Sequence, residues 1–405
     1  MPSILRRNIL ANISGQAWSA VLGLLLVPVY LHYMGVEAYG LVGFFASLQA
    51  IIAVLDMGLG TTANREVARR TARAETAGES RNLVRTLEII YWTVGLLIAV
   101  LFYAVSDLIA TRWVQVRELS VDTVQWAVVI LGLTVAVRWP VALYTGVIRG
   151  LEKQVLLNGL TAGASTLRGI GAVGVLIFVS PTVAAFLVWQ LIAGTIEVAV
   201  FGWTAWRNLP GDRDVRHSFD TAILRTIWRF AAGMSGISIL ITILKQLDKV
   251  LISKLLPLEQ LGYYTTASIA GMGLYLFITP MFNAVFPRFS SLVSHQDTVS
   301  VADTFHRSAQ FLSFVVAPMA GVLIFFSHDV LLLWTRSEAV ASNAQLALSF
   351  FAFGTLMNGM VTVPYALQLA SGLAWIALIV NALSVVVLVP LIYVLVNRFG
   401  IAGGA

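Results

Sequence analysis

Cysteine is absent from all 405 residues, which excludes thiol nucleophiles, zinc–cysteine sites and iron–sulfur clusters and leaves the redox compartment unread. Charge is scarce as well. Asp, Glu, Lys and Arg make up 11% of the chain, under half of the roughly 25% of a soluble domain. Lysine is nearly missing, with 4 against 22 arginines. No Gly-x-x-x-x-Gly-Lys-Ser/Thr loop occurs, so the chain lacks that route to ATP hydrolysis. The five histidines (His32, His217, His295, His306 and His328) are scattered over span ends and loops and form no metal-like cluster. What is present is apolar: 58% of residues are hydrophobic and the mean hydropathy is +0.85. A soluble chain with so few polar side chains has nothing to cover its outside, and so apolar a chain is not disordered. The sequence is that of an integral membrane protein.

A helix needs about 20 mostly apolar residues to cross a ~30 Å hydrocarbon core. Eleven stretches qualify: 9–31, 40–60, 88–110, 123–145, 156–178, 183–204, 230–253, 263–286, 308–331, 346–369 and 374–396. The first follows Arg6-Arg7, but it is too long for a signal peptide and lacks a small-residue cleavage site, so it reads as an uncleaved span. The net charge of +6 fits basic cytoplasmic loops rather than nucleic-acid binding. With the N-terminus inside, segments 1–8, 61–87, 146–155, 205–229, 287–307 and 370–373 hold 17 Arg and Lys, against 5 in the outer segments. That asymmetry predicts a cytoplasmic N-terminus.

An offset of about 222 residues brings two regions into register. Gly35-Val36-Glu37-Ala38-Tyr39-Gly40 falls on Pro257-Leu258-Glu259-Gln260-Leu261-Gly262, and Leu157-Asn158-Gly159 falls on Val380-Asn381-Ala382. Matches in the same order at nearly one offset indicate duplication. The expected architecture is all-α, with two parallel six-helix repeats: residues 1–205, a cytoplasmic linker 206–228, and residues 229–405. The same ruler predicts that Gly400-Ile401-Ala402-Gly403-Gly404-Ala405 opens a twelfth helix, most of which lies beyond this sequence.

Asn8-Ile9-Leu10-Ala11-Asn12, Leu25-Leu26-Val27-Pro28, Gly35 to Leu41, and Leu55-Asp56-Met57-Gly58-Leu59-Gly60 running into Arg65-Glu66 resemble the start of the polysaccharide-transporter (O-antigen flippase, Wzx-type) family. Leu247-Asp248-Lys249, Leu261-Gly262-Tyr263-Tyr264 and Asn397 to Gly403 extend the resemblance over the whole chain. The resemblance implies a MATE-like fold, with two helix bundles around a central cavity open alternately to either side. It also implies movement of undecaprenyl-pyrophosphate-linked oligosaccharide across the inner membrane. Its implied partners are the lipid-linked oligosaccharide, membrane lipid, a glycan polymerase and a chain-length regulator.

Such a cargo needs a polar, preferably cationic path, and ionisable residues inside spans are rare and face the bundle interior. Arg168 lies about 18 Å into its span, near the midplane, and reads either as a pyrophosphate or sugar contact or as the partner of Glu197 in a structural ion pair. Ser235, Ser238, Thr242, Lys245 and Lys249 are spaced 3, 4, 3 and 4, so they share one helical face, with Asp248 within i+3 reach of Lys245. The first span carries a similar seam of Asn8, Asn12, Gln16, Ser19 and Gly23. Both seams are expected to line the cavity, the alternative being inter-helix hydrogen bonding. Arg138, before Trp139-Pro140, is expected to snorkel to the inner interface or to face the cavity. Asp56 at the inner end of the second span serves a helix end or an inner gate. No cofactor is called for; coupling to H+ or Na+ is expected through Asp248 or Glu197. A multidrug antiporter is the nearest rival function. A glycan polymerase or acyltransferase is a further alternative, disfavoured because no outer loop exceeds about 15 residues.

Overall fold

The computed structural model describes residues 2–56, 58–71, 79–211, 242 and 244–405, with the side chains of 2–14, 16, 79, 374 and 378 outside that description. Ten described helices are long and apolar enough to cross a membrane. They overlap ten of the eleven stretches read from the sequence. The eleventh, 230–253, falls largely outside the described residues; its end is helical over 244–255. The protein is a multi-pass, all-helical membrane protein.

The helices are α1 (Pro2–Met34), α2 (Val36–Ala53), α3 (Leu59–Thr71), α4 (Glu79–Leu108), α5 (Val121–Arg138), α6 (Val141–Gly150), α7 (Gln154–Phe178) and α8 (Val183–Asn208). They continue as α9 (244–255), α10 (Leu258–Met272), α11 (Tyr275–Ser294), α12 (Thr298–Phe325), α13 (Ser327–Thr335), α14 (Glu338–Ala370), α15 (Ala374–Phe399) and α16 (Ile401–Gly404). Short polar residues set several starts. Ser120, Thr182, Asp297 and Ser337 each accept the backbone N–H three residues on, satisfying a donor that the first turn leaves unpaired.

Two helices differ from the continuous spans expected. The 123–145 stretch breaks at Trp139-Pro140 into α5 and α6, because Pro140 has no N–H for a helical bond. The 263–286 stretch breaks between α10 and α11, where the N–H groups of Gly273 and Leu274 reach back only three residues, to Ala270 and Gly271. The apolar window therefore spans parts of two helices, and the membrane-length segment is Tyr275–Ser294.

The chain divides into two compact units: Met1–Leu22 with Phe45–Gln246, and Gly23–Phe44 with Leu247–Ala405. The first has a core of Leu83, Leu87 and Tyr91 from α4, Leu143, Val147 and Ile148 from α6, and Val198 and Phe201 from α8. Arg81 ties α4 to the end of α8 by donating to the carbonyls of Leu209 and Pro210 at 2.8 and 2.9 Å. The second unit packs Ile278, Val285 and Phe289 of α11 against Leu312 and Val316 of α12 and Val363 of α14. Outside these cores Leu96, Phe178, Phe314 and Leu333 stay exposed, as lipid-facing side chains do.

Within the second unit α2 crosses α10 with no room for a side chain at the crossing. A Cβ on Gly40 would strike the Leu258 carbonyl oxygen, and one on Gly262 would strike that of Val36. The two contacts exchange partners at the same 222-residue offset found in the sequence. Gly43 and Thr265, at that offset too, face each other.

Candidate functional site

The polar centre of the first unit is built by α5, α7 and α8. Arg138 is the last residue of α5, at the helix break, and a Cβ on Gly194 would meet its Cγ and Cδ at 2.8 Å. The absence of that Cβ lets the arginine stem lie across α8. One turn further along α8, Glu197 Oε2 accepts from Arg138 Nε at 3.0 Å. Arg168 of α7 donates to the same oxygen. Trp189 Nε1 bonds the Leu167 carbonyl at 3.1 Å, holding α7 against α8 beside Arg168.

Two guanidiniums on one carboxylate carry a net charge of +1. The Glu197 side chain is 6% exposed, whereas Arg138 and Arg168 keep 21% and 22%. Among the described residues each arginine uses one of its five N–H donors on Glu197, which leaves most of each fork for an anion or water. The expected Arg168–Glu197 pairing is therefore present. Arg138, expected either at the inner interface or in the cavity, pairs with Glu197 of α8 as well.

The remaining candidates separate. On α1, Ser19 hydrogen-bonds Ser165 at 3.1 Å and the neighbouring Trp18 donates to Thr166 Oγ1 at 2.9 Å. This part of the α1 seam makes inter-helix bonds rather than standing open. The side chains of Asn12 and Gln16, and all of Ser235 and Ser238, lie outside the described residues. Thr242 and Lys249 are half-buried and Lys245 is exposed. Asp248 takes the Tyr264 hydroxyl at 2.5 Å, and no Lys245–Asp248 ion pair is found among the described residues. Asp56 closes a turn after α2: Tyr91 donates to Oδ1 and the Gly60 N–H to Oδ2 at 3.3 Å. These bonds tie the end of the second span to α3 and α4.

One acidic centre escaped the sequence reading. Glu88, buried on α4, accepts from Tyr144 of α6 at 2.5 Å, Trp206 of α8 at 3.1 Å and Arg85 at 2.8 Å. Its signal was the one used elsewhere, an ionisable residue within an apolar span. Its place at the start of the 88–110 window made it look like a loop boundary.

Residues 5–293 match the family described as polysaccharide biosynthesis protein. The chain belongs to this family. Residues 234–394 also match the MatE family model, and the protein is a polysaccharide transporter of the superfamily of multidrug, oligosaccharidyl-lipid and polysaccharide transporters. A Shigella flexneri protein provisionally named an O-antigen transporter is 20% identical over 400 residues, 98% of this chain and 93% of that protein. Among solved structures, an inward-facing MATE multidrug transporter superposes with a TM-score of 0.76 at 17% identity, covering 95% of this chain and 89% of that one. The lipid II flippase MurJ in an inward closed conformation gives 0.77 at 14% identity, over 98% and 83%. At these identities the likeness is one of fold.

Proposed function

We propose that this family member is a flippase that carries an undecaprenyl-pyrophosphate-linked oligosaccharide across the inner membrane by alternating access. The observation that carries the reading is the Arg138–Glu197–Arg168 cluster, a net cation retained inside an apolar bundle. An unbalanced charge there is expensive, so its retention points to an anionic visitor. A lipid-linked diphosphate needs its head group escorted while its tail stays in the bilayer, and a guanidinium fork matches phosphate oxygens. The name of the Shigella relative and the MurJ-like fold support the same cargo class. The N-terminus is cytoplasmic, a glycan polymerase and chain-length regulator act on the product outside, and a proton or sodium gradient drives the cycle through Asp248 or Glu197. Transport rather than catalysis is the activity.

Deleting the gene in its host tests this. Surface glycan is expected to fall, lipid-linked oligosaccharide is expected to accumulate on the cytoplasmic leaflet, and the wild-type gene but not Arg168→Gln is expected to restore export. Unchanged surface glycan with a new sensitivity to cationic drugs would overturn the reading in favour of the multidrug antiporter, to which the MatE match gives its support.

A further inference from the structure

The second unit carries a polar face without charge. From 275 to 287 and from 339 to 370 the chain has no Asp, Glu, Lys or Arg. On α11, Tyr275, Thr279 and Asn283 are spaced 4 and 4, so they share one side of the helix, and all three are exposed. On α14 the exposed Asn358 and Tyr365, seven apart, share a side as well. The two helices meet here. The Tyr275 hydroxyl donates to Asn358 Oδ1 at 3.0 Å, and the Tyr365 ring stacks on Phe282 of α11 with centroids 6.0 Å apart. Phe286 stacks on Phe282 in turn at 5.7 Å, so three rings form a row whose Tyr365 member stays 39% exposed.

Depth decides what this face can meet. Asn358 lies about 18 Å into the 346–369 stretch, close to the midplane. An amide turned to acyl chains at that depth has nothing to bond, a costly state. Tyr275 satisfies only the carbonyl oxygen of Asn358, and among the described residues the Thr279 hydroxyl and the Asn283 amide have no hydrogen-bond partner. The same helix α14 also exposes a purely apolar side, Phe353, Met357 and Met360 at spacings of 4 and 3, and Asn358 and Tyr365 point away from it. That apolar side suits lipid; the amide side is turned to water or to cargo.

Carbohydrate asks for what this face offers. A pyranose has an apolar C–H face that settles on an aromatic ring and a rim of hydroxyls that donate and accept. Amides and hydroxyls do both, without the charge that would select a phosphate instead. A cationic drug would find no carboxylate in either stretch. We propose that this side of α11 and α14 is a glycan-binding subsite, in which Thr279, Asn283 and Asn358 bond sugar hydroxyls and Tyr365, backed by Phe282, carries a sugar ring. The proposal rests on the flippase reading for the source of the glycan and deepens it. The cationic cluster of α5, α7 and α8 takes the diphosphate, and an uncharged surface on the second unit takes the oligosaccharide.

The probe is the free oligosaccharide repeat unit released from the host's surface glycan by mild acid, carrying neither lipid nor diphosphate. Saturation-transfer NMR on the purified protein is expected to show transfer to its sugar protons. The affinity read from titrating that signal is expected to fall about fivefold in Asn283→Leu and in Asn358→Leu, as for one lost net hydrogen bond. The signal is expected to vanish in Tyr365→Leu and to persist in Tyr365→Phe, which keeps the ring, and in Arg168→Gln. Undecaprenyl diphosphate without sugar serves as the second probe. Its affinity is expected to stay unchanged in the Asn283, Asn358 and Tyr365 variants and to drop in Arg168→Gln. No transfer from the wild type, equal transfer from the three Leu variants, or loss of both probes alike in those variants overturns the proposal. Binding of the diphosphate without the sugar leaves the flippase reading standing and removes the subsite; binding of the sugar without the diphosphate does the reverse.

Discussion

At the scale of single residues, the charged centre of the first unit shows how burial turns a few side chains into a constraint. Glu197 has two cationic partners, and removing it leaves two guanidiniums side by side in the bilayer with no counter-charge. Breaking a buried pair by deleting one member costs about 3–5 kcal/mol. Glu197→Gln is therefore expected to lower the thermal midpoint strongly, whereas Arg168→Gln leaves a one-to-one pair with Arg138 and is expected to lower it little. Thermal unfolding of the two variants in the same detergent checks this; a Glu197→Gln protein as stable as the wild type would refute it. Arg168 and Glu197 were legible in the sequence because isolated charges inside apolar spans are few and each needs the other. The position of Arg138 was not, because it depends on where α5 ends and on the missing side chain at Gly194. Neither of these changes local hydropathy.

At the scale of helices, hydropathy located segments well and their interruptions poorly. A window average is blind to a three-residue backbone bond at Gly273, so α10 and α11 looked like one span. The break at Pro140 does have a signal in the sequence, which a hydropathy window passes over: the lost N–H is a property of the residue itself. The contact between helices was still less visible: the Gly40 and Gly262 hexads were matched as a repeat, but nothing in a repeat says that its copies touch. The crossing of α2 and α10 makes a direct prediction. A Cβ on Gly43 would lie 3.1 Å from that of Thr265, close to the roughly 3.5–4.5 Å of a disulfide. Gly43→Cys with Thr265→Cys is expected to cross-link on mild oxidation, in a chain with no other thiol. Either substitution alone is expected to give no intramolecular link. A pair that stays fully maleimide-reactive after oxidation would show that the helices do not cross there.

For the whole molecule, the class of protein and its spans were readable because apolar side chains have the same meaning everywhere in a bilayer: they face lipid or each other. That very equivalence hides the pairing of helices, since lipid tails are as apolar as leucine and only small or polar residues mark an interface. Orientation is different again, because it is written in the loops rather than the spans. Basic residues resist transfer across the membrane, and 17 of 22 loop cations fall on one set of alternate segments. The loop between α11 and α12 belongs to that set, flanked by Arg288 and Arg307, whereas the segment before α5 belongs to the other. Both present an exposed polar residue, Gln296 and Ser120. With the N-terminus cytoplasmic, a membrane-impermeant maleimide added to spheroplasts is expected to label Ser120→Cys and to spare Gln296→Cys until the membrane is permeabilised. The reverse pattern would invert the whole chain, because consecutive spans alternate in direction and fixing the side of one loop fixes the side of them all.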